Sequence, residues 1–184
     1  MLLRPAGVAV GAWGWFPLLA GVAVARAVAA VAELEVRLKW PNDVLVGDRK
    51  LAGILAERVD DALVLGVGLN VSLRAEERPV PSATSLALEE SAVVDRTPVL
   101  LALLREMGKR YDGFVRSSGD PEVSGLRTAY RELCSTLGRQ VEVSRPGGRS
   151  VAGLAVEVDA SGRLVVETSH GTEPVGAGDV VHVH

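Results

Sequence analysis

Residue types able to do chemistry gather in three short stretches. Lys39-Trp40-Pro41-Asn42-Asp43 sets a cation, an amide and a carboxylate beside a proline. Arg49-Lys50-Leu51-Ala52-Gly53-Ile54 follows closely, and Gly66-Val67-Gly68-Leu69-Asn70 ends an apolar run on a second amide. Charges held against buried strands are costly unless a partner or an anionic ligand compensates them. Lys50 can present a cation to an acyl or phosphate oxygen as negative charge develops there. Asp43 can hold Mg²⁺ through water, because this ion takes oxygen ligands and dehydrates reluctantly. The amides of Asn42 and Asn70 donate and accept in one plane, which suits the edge of an adenine-like base. Gly53 lets a ligand approach the backbone, and Ile54 offers an apolar surface for a ring. Each residue alone is equally at home in an ordinary polar turn between strands. As a set they are the parts a nucleotide-dependent acyl activation needs.

Other chemistries lack their residues. No Gly-x4-Gly-Lys-[Ser/Thr] run occurs, so there is no phosphate-cradling loop of that kind. Gly66-x-Gly68 lacks the third glycine and the following helix of a dinucleotide fingerprint. His170, His182 and His184 lack metal-ligand spacing and read as surface or incidental positions. The single cysteine, Cys134, leaves no internal disulfide, suits a reducing compartment and reads as a small apolar filler. A net charge of -3 provides no global field for nucleic acid or an anionic membrane, so anion binding has to be local.

The elements that must position these residues follow from pattern. Of the 184 residues 48% are hydrophobic but only 4% aromatic, so the core is built from Ala, Val and Leu. Leu2-Leu3-Arg4 reads as a strand, and residues 8–12 as a further extended piece. Pro17 suits the first turn of a helix running to about Glu33. That run is apolar and long, but Arg26 interrupts it, and it reads as a buried amphipathic helix lying on a sheet rather than a membrane span. Residues 36–40, 44–46, 51–59 and 62–71 read as strands joined by tight turns at Gly47-Asp48 and Asp60-Asp61, an antiparallel meander. The unbroken apolar run 63–69 predicts a strand covered on both faces. Residues 72–95 are loop-rich. Thr97 with Pro98 predicts a helix start, and a second helix spans about 121–137, both packing on the sheet. Beyond Gly138, short alternating strands and Gly-rich turns, including Pro146-Gly147-Gly148, describe a small β-barrel. This divides the chain into residues 1–137 and 138–184.

The three stretches, in order K-W-P-N-D, R-K-L-A-G-I-L-A-E and G-V-G-L-N, resemble the core of bacterial biotin–protein ligases, and Ala83-Thr84-Ser85-Leu86 fits as well. The resemblance spans essentially the whole chain. It implies an α+β fold: a mixed, largely antiparallel sheet flanked by helices, like class II synthetases, plus a C-terminal SH3-like barrel. It implies a cytoplasmic enzyme that uses ATP and Mg²⁺ to convert biotin into biotinyl-5'-AMP. The biotinyl group then passes to a lysine of a biotin carboxyl carrier domain of an acyl-CoA carboxylase. By the same resemblance Lys50 and Asp43 are catalytic, with Asp43 organising Mg²⁺. Asn42, Asn70, Ile54 and Gly53 contact the adenylate; Lys50, Gly53 and Gly68 face the substrate; Lys39 borders the site. A homodimer through the sheet is also implied.

One departure matters. The Gly-Arg-rich loop that relatives carry ahead of the L-R-P strand, and their DNA-binding winged helix, do not occur after Met1. The expectation is a catalytic domain incomplete at its N-terminus, with little adenylation by residues 1–184 alone and no repressor activity. Two other readings stand beside the ligase: a non-catalytic remnant that binds nucleotide or carrier protein only, and a lipoate-ligase relative.

Overall fold

The structure, a computed structural model, describes residues 1–145 and 147–183. The first sheet has five strands: β1 (Leu2–Leu3), β2 (Arg37–Lys39), β3 (Asp43–Val46), β4 (Arg49–Val59) and β5 (Ala62–Leu69). Their order is β1-β5-β4-β3-β2, and every ladder is antiparallel. Among the described residues, parallel contact is confined to isolated bridges at Leu38–Cys134 and Lys50–Ala83. Gly47 (φ 57) and Asp60 (φ 52) take the left-handed conformation that the two tight turns require.

Helix α1 (Trp15–Ala32) lies on one face of this sheet, touching β2, β3 and β4. Its other side is covered by α2 (Arg96–Arg116) and α3 (Leu126–Leu133). The helix is therefore buried nearly all round rather than along one stripe, and Ala and Gly make such close packing feasible. It is long and apolar enough to cross a membrane, yet 72% of it is buried inside the fold, as for a core helix. Glu33 ends it in the left-handed conformation (φ 54).

Several expectations need correction. Residues 10–12 form a 3-10 turn, not an extended piece, since Ala12 N–H donates to Ala9 O and Trp13 N–H to Val10 O. Asp95, not Thr97, caps α2, its carboxylate accepting from Thr97 N–H at 2.8 Å. Helix α3 is shorter than the 121–137 segment, because Asp120 holds residues 122–124 in a turn before it. Helix α2 packs on α1 rather than on the sheet. Strand β5 is not covered on both faces: Ala62, Leu63 and Leu65 are buried, whereas Val64, Gly66 and Gly68 are exposed. The apolar run conceals an alternation in which glycines occupy the open face.

The second sheet comprises β6 (Gln140–Ser144), β7 (Ser150–Val158), β8 (Leu164–Thr168), β9 (Gly171–Val175) and β10 (Asp179–His182), in the order β10-β6-β7-β8-β9. Val141, Val143, Ala155, Val158, Leu164 and Val166 fill its interior at 1% exposure or less. Of the expected turn at 146–148, Pro146 lies outside the described residues, while Gly147 and Gly148 have φ 90 and 80. The sheets are joined by tryptophans. Trp15 Nε1 donates to Ala160 O and Trp40 Nε1 to Gly162 O, each at 3.1 Å. A side chain on Gly14 would begin 2.3 Å from Ser161 O, so only glycine permits this approach.

Candidate functional site

Register decides which residues share the open face of the first sheet. Opposed residues of an antiparallel ladder point the same way, and Lys39–Asp43, Asp43–Gly53 and Gly53–Gly68 are opposed in turn. Lys39, Asp43, Gly53 and Gly68 thus form one row across the face away from α1. The next row is Leu55–Gly66, then Glu57–Val64. Three glycines in adjacent rows leave a flat floor. Asn42, Gly53, Leu55, Gly66 and Gly68 are among the residues bounding a depression of about 480 Å³ there.

Ile54 does not line that floor with its side chain. It is opposed to Val67, one position out of step with Gly53, and so points to the helix side. Its Cδ1 lies 3.5 Å from where a side chain on Gly21 of α1 would begin, and the residue is 4% exposed. Only its backbone borders the depression. Its neighbour Leu55 instead puts an apolar side chain on the open face, 70% exposed.

Lys50 lies over Gly53. A Cβ at Gly53 would sit 3.3 Å from Lys50 Cε and 3.4 Å from Nζ, so glycine supplies the room the lysine occupies. Lys50 Nζ is 2.5 Å from Asp43 Oδ1. This contact is an ion pair of poor alignment, and the buried Oδ1 has no well-directed hydrogen-bond donor. With Lys50 nearly half exposed, the pair contributes little to stability, about 1 kcal/mol at most. The arrangement holds a cation ready beside an under-used carboxylate. No group of three or more His, Cys, Asp or Glu that could hold a metal occurs among the described residues. Asp43 can therefore offer a cation one carboxylate, the rest of the shell coming from water and ligand oxygens.

The two asparagines also have structural duties. Asn42 Nδ2 donates to Ile54 O at 3.1 Å, and Ile54 N–H donates to Asn42 O at 2.9 Å. Asn70 Nδ2 donates to Thr84 O at 2.9 Å. Each amide spends one N–H on the backbone and keeps its oxygen and second N–H for a ligand. Residues 82–86 form a strap behind the site. Lys50 N–H donates to Ser82 O, Thr84 N–H to Lys50 O, and Leu86 N–H to Asn70 O.

The second sheet adds residues that sequence patterns did not single out. Arg139 and His182, with Ser82, border a cleft of about 330 Å³ on the other side of Lys39, Asp43 and Lys50. His182 is not incidental: its Nε2 lies 3.3 Å from Thr136 Oγ1, beside the joint that receives Trp40 N–H. Only folding brings residues 139 and 182 to Lys50, so no spacing rule could find them. His184 lies outside the described residues, and His170 is exposed. Cys134 is buried beneath α3; burial pushes its thiol up, so it stays a neutral filler as expected.

Comparison with known proteins places these features in context. A model of the "Biotin/lipoate A/B protein ligase family" matches residues 16–73, and one of the "Biotin protein ligase C terminal domain" matches residues 136–183. A biotin–[acetyl-CoA-carboxylase] ligase of Mycobacterium tuberculosis is 45% identical, covering 98% of this chain and 67% of its own length. The bifunctional ligase/repressor BirA of Escherichia coli is 29% identical, and the match covers 89% of this chain and 51% of that protein. Among solved structures, biotin protein ligase from Aquifex aeolicus superposes with a TM-score of 0.84 at 26% identity, over 100% of this chain and 80% of that one. The same enzyme solved with biotin and ATP gives a TM-score of 0.78 at 26% identity, over 98% and 75% of the respective chains.

Proposed function

The chain belongs to the biotin protein ligase family, and on that premise we propose that it takes part in ATP-dependent biotinylation of a carrier protein. The observation that carries this reading is the open face on which Lys50 crosses Gly53 above a floor of glycines, with Asp43 and Asn42 at its edge. In the first step a biotin carboxylate oxygen attacks the α-phosphorus of ATP, and the bond to the β-phosphate oxygen breaks to release pyrophosphate. Lys50 Nζ sits where it can stabilise the charge shared between the carboxylate and the α-phosphate. In the second step a carrier lysine amine attacks the acyl carbon. The new amide forms, AMP leaves with the bonding electrons, and the amine gives up its proton to solvent water.

Asn42 and Asn70 would hold the adenine edge with the amide atoms that the backbone leaves over. Gly53 and Gly68 would let biotinyl-AMP lie against the strands. Asp43 would hold Mg²⁺ through water, and that ion would offset the negative charge of the phosphates. The carrier is read as the biotin carboxyl carrier domain of an acyl-CoA carboxylase, the substrate class in the mycobacterial relative's name. The second sheet is read as the SH3-like barrel, starting a domain near residue 138. A cytosolic location and a homodimer belong to the same reading.

Supplying preformed biotinyl-5'-AMP and a carrier domain tests the function without requiring the first step. The expected result is transfer of labelled biotin to the carrier well above the rate without the protein, with lipoyl-AMP a poor donor. Binding without accelerated transfer would identify a remnant, and preference for lipoyl-AMP would identify a lipoate ligase.

A further inference from the structure

Lys50 stands at a gap in its own sheet. The β4–β5 ladder begins only at Ala52–Leu69, beyond Lys50. On the other side the β3–β4 ladder shifts register between Val44 and Leu45, at the point where Leu45 meets Lys50. Strand pairing alone therefore leaves the lysine's main chain loosely specified. The strap at residues 82–86 fills the gap, taking the N–H of Lys50 at 2.7 Å through Ser82 O and its carbonyl at 2.9 Å through Thr84 N–H.

What fixes the strap is a carboxylate. Thr84 Oγ1 donates to Glu89 Oε1, and Glu89 Oε2 pairs with Arg49 Nη2 at 2.7 Å. The Glu89 side chain is 9% exposed while Arg49 is 55% exposed. Burying a carboxylate with one solvent-facing cation for a partner is poor design for stability. The contacts close a ring: Arg49 side chain, Glu89, Thr84 side chain, Thr84 N–H, Lys50 carbonyl and back along the chain to Arg49. Asn70 hangs on the same strap through Thr84 O.

We propose that Glu89 is a positioning residue for Lys50, clamping Thr84 to Arg49 so that the strap holds the lysine over Gly53. The inference rests on the ligase reading for what Lys50 does, though not for how Lys50 is held. Two measurements on the purified chain test it: hydrogen exchange of single amides without ligand, and calorimetric titration with biotinyl-5'-AMP. In Glu89→Ala the amides of Lys50 and Thr84 should exchange at least tenfold faster, while those of Glu57 and Val64 in the outer ladder stay within twofold. Affinity for biotinyl-5'-AMP should fall at least fivefold, with a fall of less than half that factor, carried by Asn70 on the same strap, when Glu89→Ala is added to Lys50→Ala. Glu89→Gln should restore both, because its Oε1 can accept from Arg49 while its Nε2 donates to Thr84 Oγ1. Thr84→Val, which removes only the hydroxyl contact, should reproduce the exchange change and serves if Glu89→Ala does not fold. Unchanged exchange at Lys50 and Thr84 would overturn the proposal. So would an equal affinity loss in the Lys50→Ala background, or a Glu89→Gln variant no better than Glu89→Ala. If the wild-type chain ignores biotinyl-5'-AMP, the ligase reading fails while the exchange arm still decides the role of Glu89.

Discussion

At the scale of single residues, the face that each candidate occupies was not always legible in the sequence. Asp43, Gly53 and Gly68 meet on one surface because the antiparallel register places them opposite one another, and Lys50, beyond the register shift at Val44–Leu45, joins them by reaching over Gly53 to Asp43. Ile54 belongs to the other surface: one residue of offset in a strand reverses the direction of a side chain. An apolar residue beside a glycine carries no signal of that offset until the partner strand is known. The consequence can be measured. Ile54→Ala removes a buried side chain from the packing against α1 and should cost about 2–5 kcal/mol in urea unfolding. A loss under about 1 kcal/mol would return Ile54 to the open face.

At the scale of elements, the meander was legible because its turns carry their own chemistry: Gly47 and Asp60 sit where positive φ is needed. The strap at residues 82–86 was not, because its partners are the main chains of Lys50 and Asn70, and main-chain pairing leaves no pattern in a single sequence. The turn between β7 and β8 shows how such an element is held. Asp159 accepts from Ser161 N–H at 2.8 Å and Arg163 N–H at 3.0 Å, and pairs with the Arg163 side chain. This turn presents the carbonyls of Ala160 and Gly162 to Trp15, at the start of α1, and Trp40, just after β2. Burial pushes the Asp159 carboxyl up, but the Arg163 guanidinium and the two backbone donors outweigh it, so the group sits below the usual carboxylate range. Its stabilisation is therefore fully present above the unfolded-state value, about 3.9, and is lost as pH falls through the lower folded value. Asp159→Asn should lower the urea midpoint at neutral pH and flatten its fall below about pH 4. A variant whose midpoint tracks the wild type with pH throughout would contradict this account of the turn.

At the scale of the whole molecule, a change of texture near residue 138 suggested two parts, and the tertiary contacts bind them closely. Trp15 and Trp40 are buried at 0% and 1%, with their ring nitrogens bonded across the junction. Gly14 and Gly162 let the backbones touch, and Arg127 of α3 pairs with Glu157 of β7 at 2.8 Å. A junction this dry predicts one cooperative unfolding transition, with tryptophan fluorescence and far-UV circular dichroism coinciding in urea. Two separated transitions would show that the second sheet folds independently. The same docking brings Arg139 and His182 to the edge of the Lys50 site, which explains why they were absent from any motif.

The central claim is that the face carrying Lys50, Asp43, Gly53 and Gly68 receives an acyl-adenylate. Calorimetric titration with biotinyl-5'-AMP tests it most directly. The account predicts saturable binding at one site, weakened about 10- to 100-fold in a folded Lys50→Ala variant, the usual effect of losing a hydrogen bond to a charged group. No binding by the wild-type chain, or equal affinity in Lys50→Ala, would contradict it.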